Sequence, residues 1–287
     1  MILTKYGTNI MIGQLKLKNT FTDLIQNNLL PRFNILVGVD GSGKNMLAYY
    51  HIAKQLDCDI VLVNDLKASS LKEIINQSYQ LMDTTVYIIR DADDMSLAAR
   101  NSLLKVLEEP PNKAIWILTV DNIDNVLPTI RSRGSIYYLD PYTKDELAAY
   151  ASNYKLSDNE MNIVLKIAEV PGDINLLVRS GVDDLYNWVS IVVDNIEKVS
   201  GANAFKIGDK ISLKKDSEGY DLSLFWKTFR AICFDRVLTN LKNYEMVLKY
   251  SDGVAITGLY MNELGITGIN KISLFDAWLL DIRKAWL

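Results

Sequence analysis

The sequence predicts an α/β domain on a parallel sheet followed by helical regions, and three observations carry that prediction. Short β-branched runs recur through the first half with amphipathic stretches between them. A glycine-rich segment, Gly38 to Asn45, follows directly on the first of these runs. After Leu139 the strand signals stop and helix-start signals replace them. The 287 residues leave room for two or three compact units at roughly 100–200 residues each.

Strands are expected at Phe33–Val37, Ile60–Val63, Val86–Ile89, Ile115–Thr119 and Ser135–Leu139. Runs this apolar belong to a parallel sheet covered on both faces, and the intervals between the first four leave space for crossover helices. The first crossover is the helical run Met46–Leu56, where His51 reads as a packed helix residue. In the second, Ser70 with Glu73 reads as a capping box, with Leu71, Ile74, Ile75, Ser78 and Met82 on one face. The third, Asn101–Glu109, is an amphipathic helix stopped by Pro110 and Pro111. Capping boxes at Thr143 with Glu146 and Ser157 with Glu160, then a start at Pro171-Gly172-Asp173, predict three short helices in 143–181. From Leu185 onward helical patterns return, interrupted by a polar stretch over 201–219 and by Gly253, Gly258, Gly265 and Gly268. The predicted division is an α/β domain at 1–140, a segment of short helices at 141–181 and an all-helical domain at 182–287.

Composition narrows the function classes. Hydrophobic residues make up 49% and charged residues 23% of the chain, which is the balance of a folded globular protein and not of a disordered one. Cys58 and Cys233 form no CxxC pair, so no disulfide framework or zinc ribbon is expected, and a reducing compartment is. With His51 the single histidine, a histidine-rich metal site or a Ser-His-Asp triad has almost nothing to be built from, and no metal ligand is assigned. Met1 to Asn19 carries lysines without the apolar core of a signal peptide, and no run approaches the ~20 residues that cross a bilayer. A cytoplasmic chain with no membrane partner is expected. The net charge of −4 argues against free-standing DNA binding through a broad cationic face and is compatible with a local stripe or a groove shared between subunits.

The chemistry sits in Gly38-Val-Asp-Gly41-Ser42-Gly43-Lys44-Asn45, between a strand and a helix. Glycines let backbone N–H groups turn toward phosphate oxygens, the helix start adds its positive end, and Lys44 supplies a cation. Gly38, Gly41, Ser42, Gly43, Lys44 and Asn45 are therefore the candidate nucleotide-binding residues. Asn45 stands where Ser or Thr ordinarily presents a hydroxyl to Mg²⁺. At the end of the third strand, Arg90-Asp91-Ala92-Asp93-Asp94 puts a cation in the metal-holding place of a Walker B motif, with Asp91 in the following carboxylate position. Asp93 and Asp94 read as a solvated helix start.

The string Asn101-Ser-Leu-Leu-Lys105-Val-Leu-Glu108-Glu109-Pro110-Pro111 resembles that of bacterial clamp-loader ATPases of the AAA+ superfamily. Leu127-Pro-Thr-Ile-Arg131-Ser132-Arg133-Gly134 is similar to the family's Ser-Arg-Cys motif, and Met11-Ile-Gly-Gln14 looks like the box before its first helix. The resemblance implies an AAA+ P-loop domain, a three-helix lid and a C-terminal helical collar that drives assembly, to which the apolar tail Leu274–Leu287 would contribute. It also implies that Arg133 is an arginine finger acting in trans on a neighbour's nucleotide, with Gly134 replacing the cysteine. The alternative for Arg133 is an ordinary surface arginine. Asn175 takes the place of the lid's sensor arginine, and Val120 or Asp121 falls where the first sensor, a polar residue, would lie. Arg100 and Lys105 belong to the helix that the family turns toward DNA, although a solvated helix face explains both.

Positions that serve hydrolysis in cis are thus altered, while the one that serves a neighbour is kept. That pattern is most like the delta-prime type of subunit of the DNA polymerase III clamp loader, here without a zinc module and possible for a phage or mobile element. The expected partners are other clamp-loader subunits, the sliding clamp and primer-template DNA. The expected cofactor is weakly bound ATP or ADP with weak Mg²⁺ dependence and no zinc. Two further readings stay open: an active clamp-loader ATPase with Asp91 as its catalytic carboxylate, and an AAA+ protein outside replication.

Overall fold

The computed structural model describes residues 11–198, 205–213, 219–266 and 268–287. The chain divides into two compact units, Met1–Tyr142 and Thr143–Leu287. In the first unit, β1 (Phe33–Val37), β2 (Asp59–Val63), β3 (Thr85–Ile89), β4 (Ala114–Val120) and β5 (Ser135–Tyr138) form one sheet in the order β2-β3-β4-β1-β5. Every pairing is parallel. The inner strands β1, β3 and β4 are buried at every position, and the edge strands only in part. Burial on both faces is what demands such unbroken apolar runs, and the strands lie close to their predicted bounds.

Side chains alternate between two cores, as the period of a strand requires. One core takes Leu36, Val86, Ile88, Ile115 and Ile117, together with Leu17 and Phe21 of α1 (Leu15–Gln26) and Leu47 and Ile52 after the P-loop. The segment after the P-loop begins as α2 (Lys44–Met46), widens into a π-turn over Leu47–Ile52 and closes as a 3-10 turn over Ala53–Leu56. His51 is part-buried there, and its Nε2 donates to the Lys18 carbonyl at 2.9 Å. The other core takes Ile35, Val37, Tyr87, Ile89, Trp116 and Leu118, with Leu71 and Ile75 of α3 (Ala68–Ser78) and Leu103 and Val106 of α4 (Leu97–Glu108). Tyr87 and Trp116 are register partners whose rings stack with centroids 4.4 Å apart.

Two expectations in this unit are corrected. Ser70 does not cap α3, because the helix starts at Ala68 and the Ser70 hydroxyl donates instead to Asp65 Oδ2 at 2.7 Å. Met82 lies beyond the helix and is exposed, so it takes no part in the apolar face. Gln14 has a structural duty: its amide donates to the Asp140 carbonyl at 2.7 Å and accepts the Asp140 N–H at 2.8 Å, tying the start of α1 to the end of the sheet.

After the short α5 (Pro128–Arg131), the second unit carries the helices α6 (Lys144–Ala151), α7 (Asp158–Ile167), α8 (Pro171–Ser180), α9 (Val182–Asn195), α10 (Leu222–Thr239), α11 (Tyr244–Leu264) and α12 (Lys271–Trp286). The segment 182–287 is not all-helical as expected: β6 (Ile211–Ser212) and β7 (Tyr220–Asp221), two residues each and too short to show in the sequence, pair in parallel within and just after the polar break. Both predicted capping boxes form, at Thr143 with Glu146 and at Ser157 with Glu160. In the polar break, 201–204 and 214–218 lie outside the described residues, and Phe205–Lys210 forms a 3-10 turn.

Gly253 and Gly258 do not interrupt the chain here, since α11 runs through both. A Cβ at 253 would come within 2.7 Å of the Trp286 ring and 3.1 Å of Cys233 Sγ, so this glycine permits a close helix approach. Nothing in the structure explains Gly258. Phe225, Phe229, Phe275 and Trp278 form an aromatic core, and the Trp278 indole N–H donates to Thr257 at 3.1 Å. The tail is therefore mostly core: Leu274, Phe275, Trp278, Leu279, Ile282 and Trp286 are all buried.

A buried ion pair joins α8 to α10. Asp173 accepts the N–H groups of Glu169 and Val170 at 2.9 and 3.2 Å, and Lys227 Nζ sits 2.7 and 2.8 Å from its two oxygens. The helices of 143–181 and of 182–287 thus share one compact unit. Removing Asp173 leaves the buried Lys227 only the half-exposed Glu169, at 3.6 Å, so Asp173→Ala should destabilise this unit by about 3 kcal/mol, the low end for breaking a buried pair. Denaturant unfolding followed by far-UV circular dichroism is the check, and a loss under about 1 kcal/mol would mean the pair contributes no more than a surface bridge.

Candidate functional site

The site forms at the carboxyl ends of β1, β3 and β4, where an open parallel sheet ordinarily offers its crevice. Gly41 and Gly43 take left-handed backbone at φ 78° and 89°, which glycine adopts without penalty. A Cβ on Gly38 would fall 2.7 Å from Ser42 Oγ, so the loop's entrance and exit pack against each other. The Tyr142 hydroxyl braces the loop from outside by donating to the Ser42 carbonyl at 2.7 Å. Ser42 Oγ is buried without a hydrogen-bond partner, an orphan that a phosphate oxygen would satisfy. The loop fits a phosphate.

Behind the loop a relay joins the ends of β3 and β4 to the first turn of α2. The Asp91 N–H donates to Thr119 Oγ1 at 3.2 Å, and the Thr119 hydroxyl donates to Asn45 Oδ1 at 2.8 Å. Thr119 is fully buried at the end of β4. Sequence reasoning named its neighbours Val120 and Asp121 and missed it. The available signal was a threonine ending an otherwise apolar central strand. Val120 is a core residue whose carbonyl accepts the Gly38 N–H at 3.1 Å, so it has no polar role.

Asp121 does something else. Its carboxylate takes the Lys44 ammonium directly, while Asp91 Oδ1 stands 3.9 Å from the same nitrogen. The Lys44 side chain is only 2% exposed. Burial pushes the Asp121 carboxyl above the usual carboxylate range, Lys44 pulls it down, and Asp40 and Asp93 push it further up. Asp40 also accepts the Gly41 N–H at 2.8 Å.

Asp93 is not a solvated helix start. It is 5% exposed and its Oδ2 accepts the N–H groups of Asp121 and Asn122 at 2.9 and 3.1 Å. Arg100 is likewise internal: its guanidinium donates to the carbonyls of Asn125 and Asp93, both at 2.6 Å, which removes it from any role at the surface of α4. Lys105 is exposed.

The residues do not fit Mg²⁺ in its usual place. Asn45 Oδ1 is already engaged by Thr119, and Arg90 presents a guanidinium that reaches Asn64 Oδ1 at 3.5 Å. Among the described residues no cluster of three His, Cys, Asp or Glu is placed to hold a metal. Asn175 in α8 accepts hydrogen bonds from the hydroxyls of Tyr150, at 3.1 Å, and Tyr154.

Arg133 lies away from this cluster, just after α5. One guanidinium nitrogen donates to the Thr129 carbonyl at 2.8 Å and another pairs with Glu108 Oε1 at 2.8 Å. Its side chain is 33% exposed. Next to it, a Cβ on Gly134 would stand 2.8 Å from the Phe33 ring and 2.9 Å from Ile35. The glycine follows from those two side chains of β1.

Residues 61–143 match the family model described as DNA polymerase III, delta subunit. The chain is 23% identical to the DNA polymerase III subunit gamma of Buchnera aphidicola over 53% of its own length and 49% of that protein's. It is 35% identical to the DNA polymerase III subunit delta' of Escherichia coli over 27% of its length and 24% of that protein's. The matches thus span half or less of these relatives. Among solved structures, a RuvB mutant from Thermotoga maritima aligns at a TM-score of 0.50 and 18% identity, over 93% of this chain and 89% of that one, which speaks to the fold alone. The resemblance to DNA polymerase III clamp-loader subunits stands, with the delta subunit model matched over 61–143. No helix among the described residues is long and apolar enough to cross a membrane.

Restoring the cysteine that the family pattern carries should harm this chain. Gly134→Cys forces Phe33 and Ile35 to move, and overpacking of this kind costs about 1–3 kcal/mol. Chemical denaturation measures it, and a second change, Phe33→Leu, should recover part of the loss. An unchanged midpoint for Gly134→Cys would show that β1 yields freely.

Proposed function

We propose that this chain is a delta-prime-like subunit of a DNA-replication clamp loader. In this reading it assembles with ATPase subunits that load a sliding clamp on primed DNA in the cytoplasm, hydrolyses little ATP itself, and lends Arg133 to the site of a neighbour. The observation that carries the reading is the unequal placement of two cations. Lys44 is buried and neutralised by its own chain's carboxylates, whereas Arg133 sits partly exposed at a strand entrance, held by one carbonyl and one exposed glutamate. A guanidinium there can exchange Glu108 for a phosphate oxygen across an interface at small cost, because exposed ion pairs contribute about 0–1 kcal/mol. ATP or ADP binds weakly in this reading, with weak Mg²⁺ dependence: the phosphate cradle is formed, but Asn45 and Arg90 do not serve the metal.

Arg133→Ala should lower ATP turnover at the adjacent motor site of the assembled complex at least about tenfold, below the 10³–10⁵ that such arginines can contribute. The assembly itself should persist on gel filtration, since one partly exposed charge rarely holds a large interface. Normal turnover in an intact mutant complex would remove the trans role.

Assembly is assigned to the collar, but not to its tail, which is core. The exposed apolar residues gather where α10 meets α11: Phe234 and Leu238, then Leu241, then Tyr244 and Leu248. Leu238→Asp combined with Tyr244→Ser should weaken subunit association at least about tenfold while leaving the melting temperature of the lone chain nearly unchanged, as expected for contact residues at an interface. Undiminished copurification with partner subunits would exclude this face.

A further inference from the structure

We propose that Asp121 makes this P-loop reject nucleoside triphosphate more strongly than diphosphate, by holding the one cation a third phosphate would need. The proposal rests on reading the loop as a nucleotide cradle and is independent of any role for Arg133.

The P-loop lysine ordinarily reaches the β- and γ-phosphates. Here Lys44 points its ammonium at the Asp121 carboxylate, with Asp91 Oδ1 at 3.9 Å on the same nitrogen. The pairing is not casual. Lys44 is 2% exposed, and Asp121 is anchored through its own N–H, which donates to the buried Asp93 carboxylate at 2.9 Å. Asp121 therefore has a fixed backbone from which to face the lysine.

The surrounding charge is one-sided. Asp40 and Asp93 both raise the Asp121 carboxyl electrostatically, and Asp91 faces Lys44. Lys44 is thus met by two carboxylates, Asp121 and Asp91, and Asp40 also occupies the Gly41 N–H, a loop donor. An incoming polyphosphate must take Lys44 from Asp121 and then lie against that carboxylate. Each added phosphate charge meets this repulsion, and the terminal phosphate, the one the lysine serves, meets most of it. Like charges in a partly buried site repel far more than in water. Diphosphate engages the loop's N–H groups and the Ser42 hydroxyl while asking less of Lys44. Burial keeps the Asp121 carboxyl easier to protonate than an ordinary aspartate, so neutralising it is the least disruptive way to lift the block.

The test uses the full chain, ADP and ATP, and isothermal titration in EDTA and then in Mg²⁺. The unaltered chain should bind ADP at least about tenfold more tightly than ATP. Asp121→Asn should raise ATP affinity at least about tenfold and ADP affinity less, bringing the two within about threefold, because the neutral amide removes the repulsion and releases Lys44. Asp121→Thr guards against a fold defect in the first variant, with thermal melting as the control, and Asp91→Asn should have the smaller effect because its carboxylate lies farther from Lys44, at 3.9 Å. Equal affinities in the unaltered chain, or unchanged ATP affinity in both folded Asp121 variants, would overturn the proposal. Absence of any nucleotide binding in all variants would overturn both the proposal and the cradle reading, while the effect of Arg133→Ala on partner turnover would still decide the subunit role.

Discussion

Every side chain of β4 is buried, and the strand is paired on both sides, to β3 through Tyr87↔Trp116 and to β1 through Phe33↔Trp116. A strand so placed cannot slip by one residue without turning Trp116 and the two isoleucines Ile115 and Ile117 into the wrong core. Its register fixes Thr119 beneath Asn45, puts Val120 on the Gly38 N–H, and leaves Asp121 as the first residue free to meet Lys44. The polar machinery of the first unit is hung from that strand end. A change in Trp116 or Ile117 would therefore be felt at the P-loop without touching it.

Below the loop, hydrogen bonds replace what a metal would otherwise organise. Thr119 satisfies both the Asp91 N–H and Asn45 Oδ1, so two groups that would be costly to bury unpaired serve each other. Asp93 does the same for two N–H groups at the turn after β4, and Arg100 gathers two carbonyls around it. Asp93, read from the sequence as a solvated helix start, and Arg100, which a solvated helix face would explain, are instead spent on holding turns. Preorganisation survives, but it is directed at the protein's own backbone.

The fold was legible where the physics is local or periodic. Strands buried on both faces print continuous β-branched runs, so β1 to β5 could be placed closely. The boxes at Thr143 and Ser157 were legible because both partners lie within one turn. Ser70 misled because Asp65, five residues upstream, competes for its hydroxyl. Gly253 misled because its reason is the ring of Trp286, far along the chain. The same holds in the site. The P-loop residues could be named from spacing, but Asp93 and Arg100 find partners 28 and 25 residues away, and no local pattern announces such a bond. Thr119 and Tyr142 were missed for that reason, with separations of 74 and 100 residues to their P-loop partners.

Magnitudes decide which of the chain's cations is available to another molecule. Lys44 and Lys227 are 2% and 10% exposed, and leaving such a buried ammonium without its carboxylate costs several kcal/mol unless the newcomer replaces the lost partner. Arg100 is committed to two carbonyls, and a guanidinium that leaves them strands both. Arg133 differs in its own burial: its side chain is 33% exposed and can be rehydrated when Glu108 releases it, and its bond to the Thr129 carbonyl lies within a single turn of chain. Of these four cations, Arg133 is the one whose transfer costs least, and it is the one outside the chain's own P-loop cluster. Under the proposed function that difference is what leaves the arginine, and not the lysine, for a phosphate other than the chain's own.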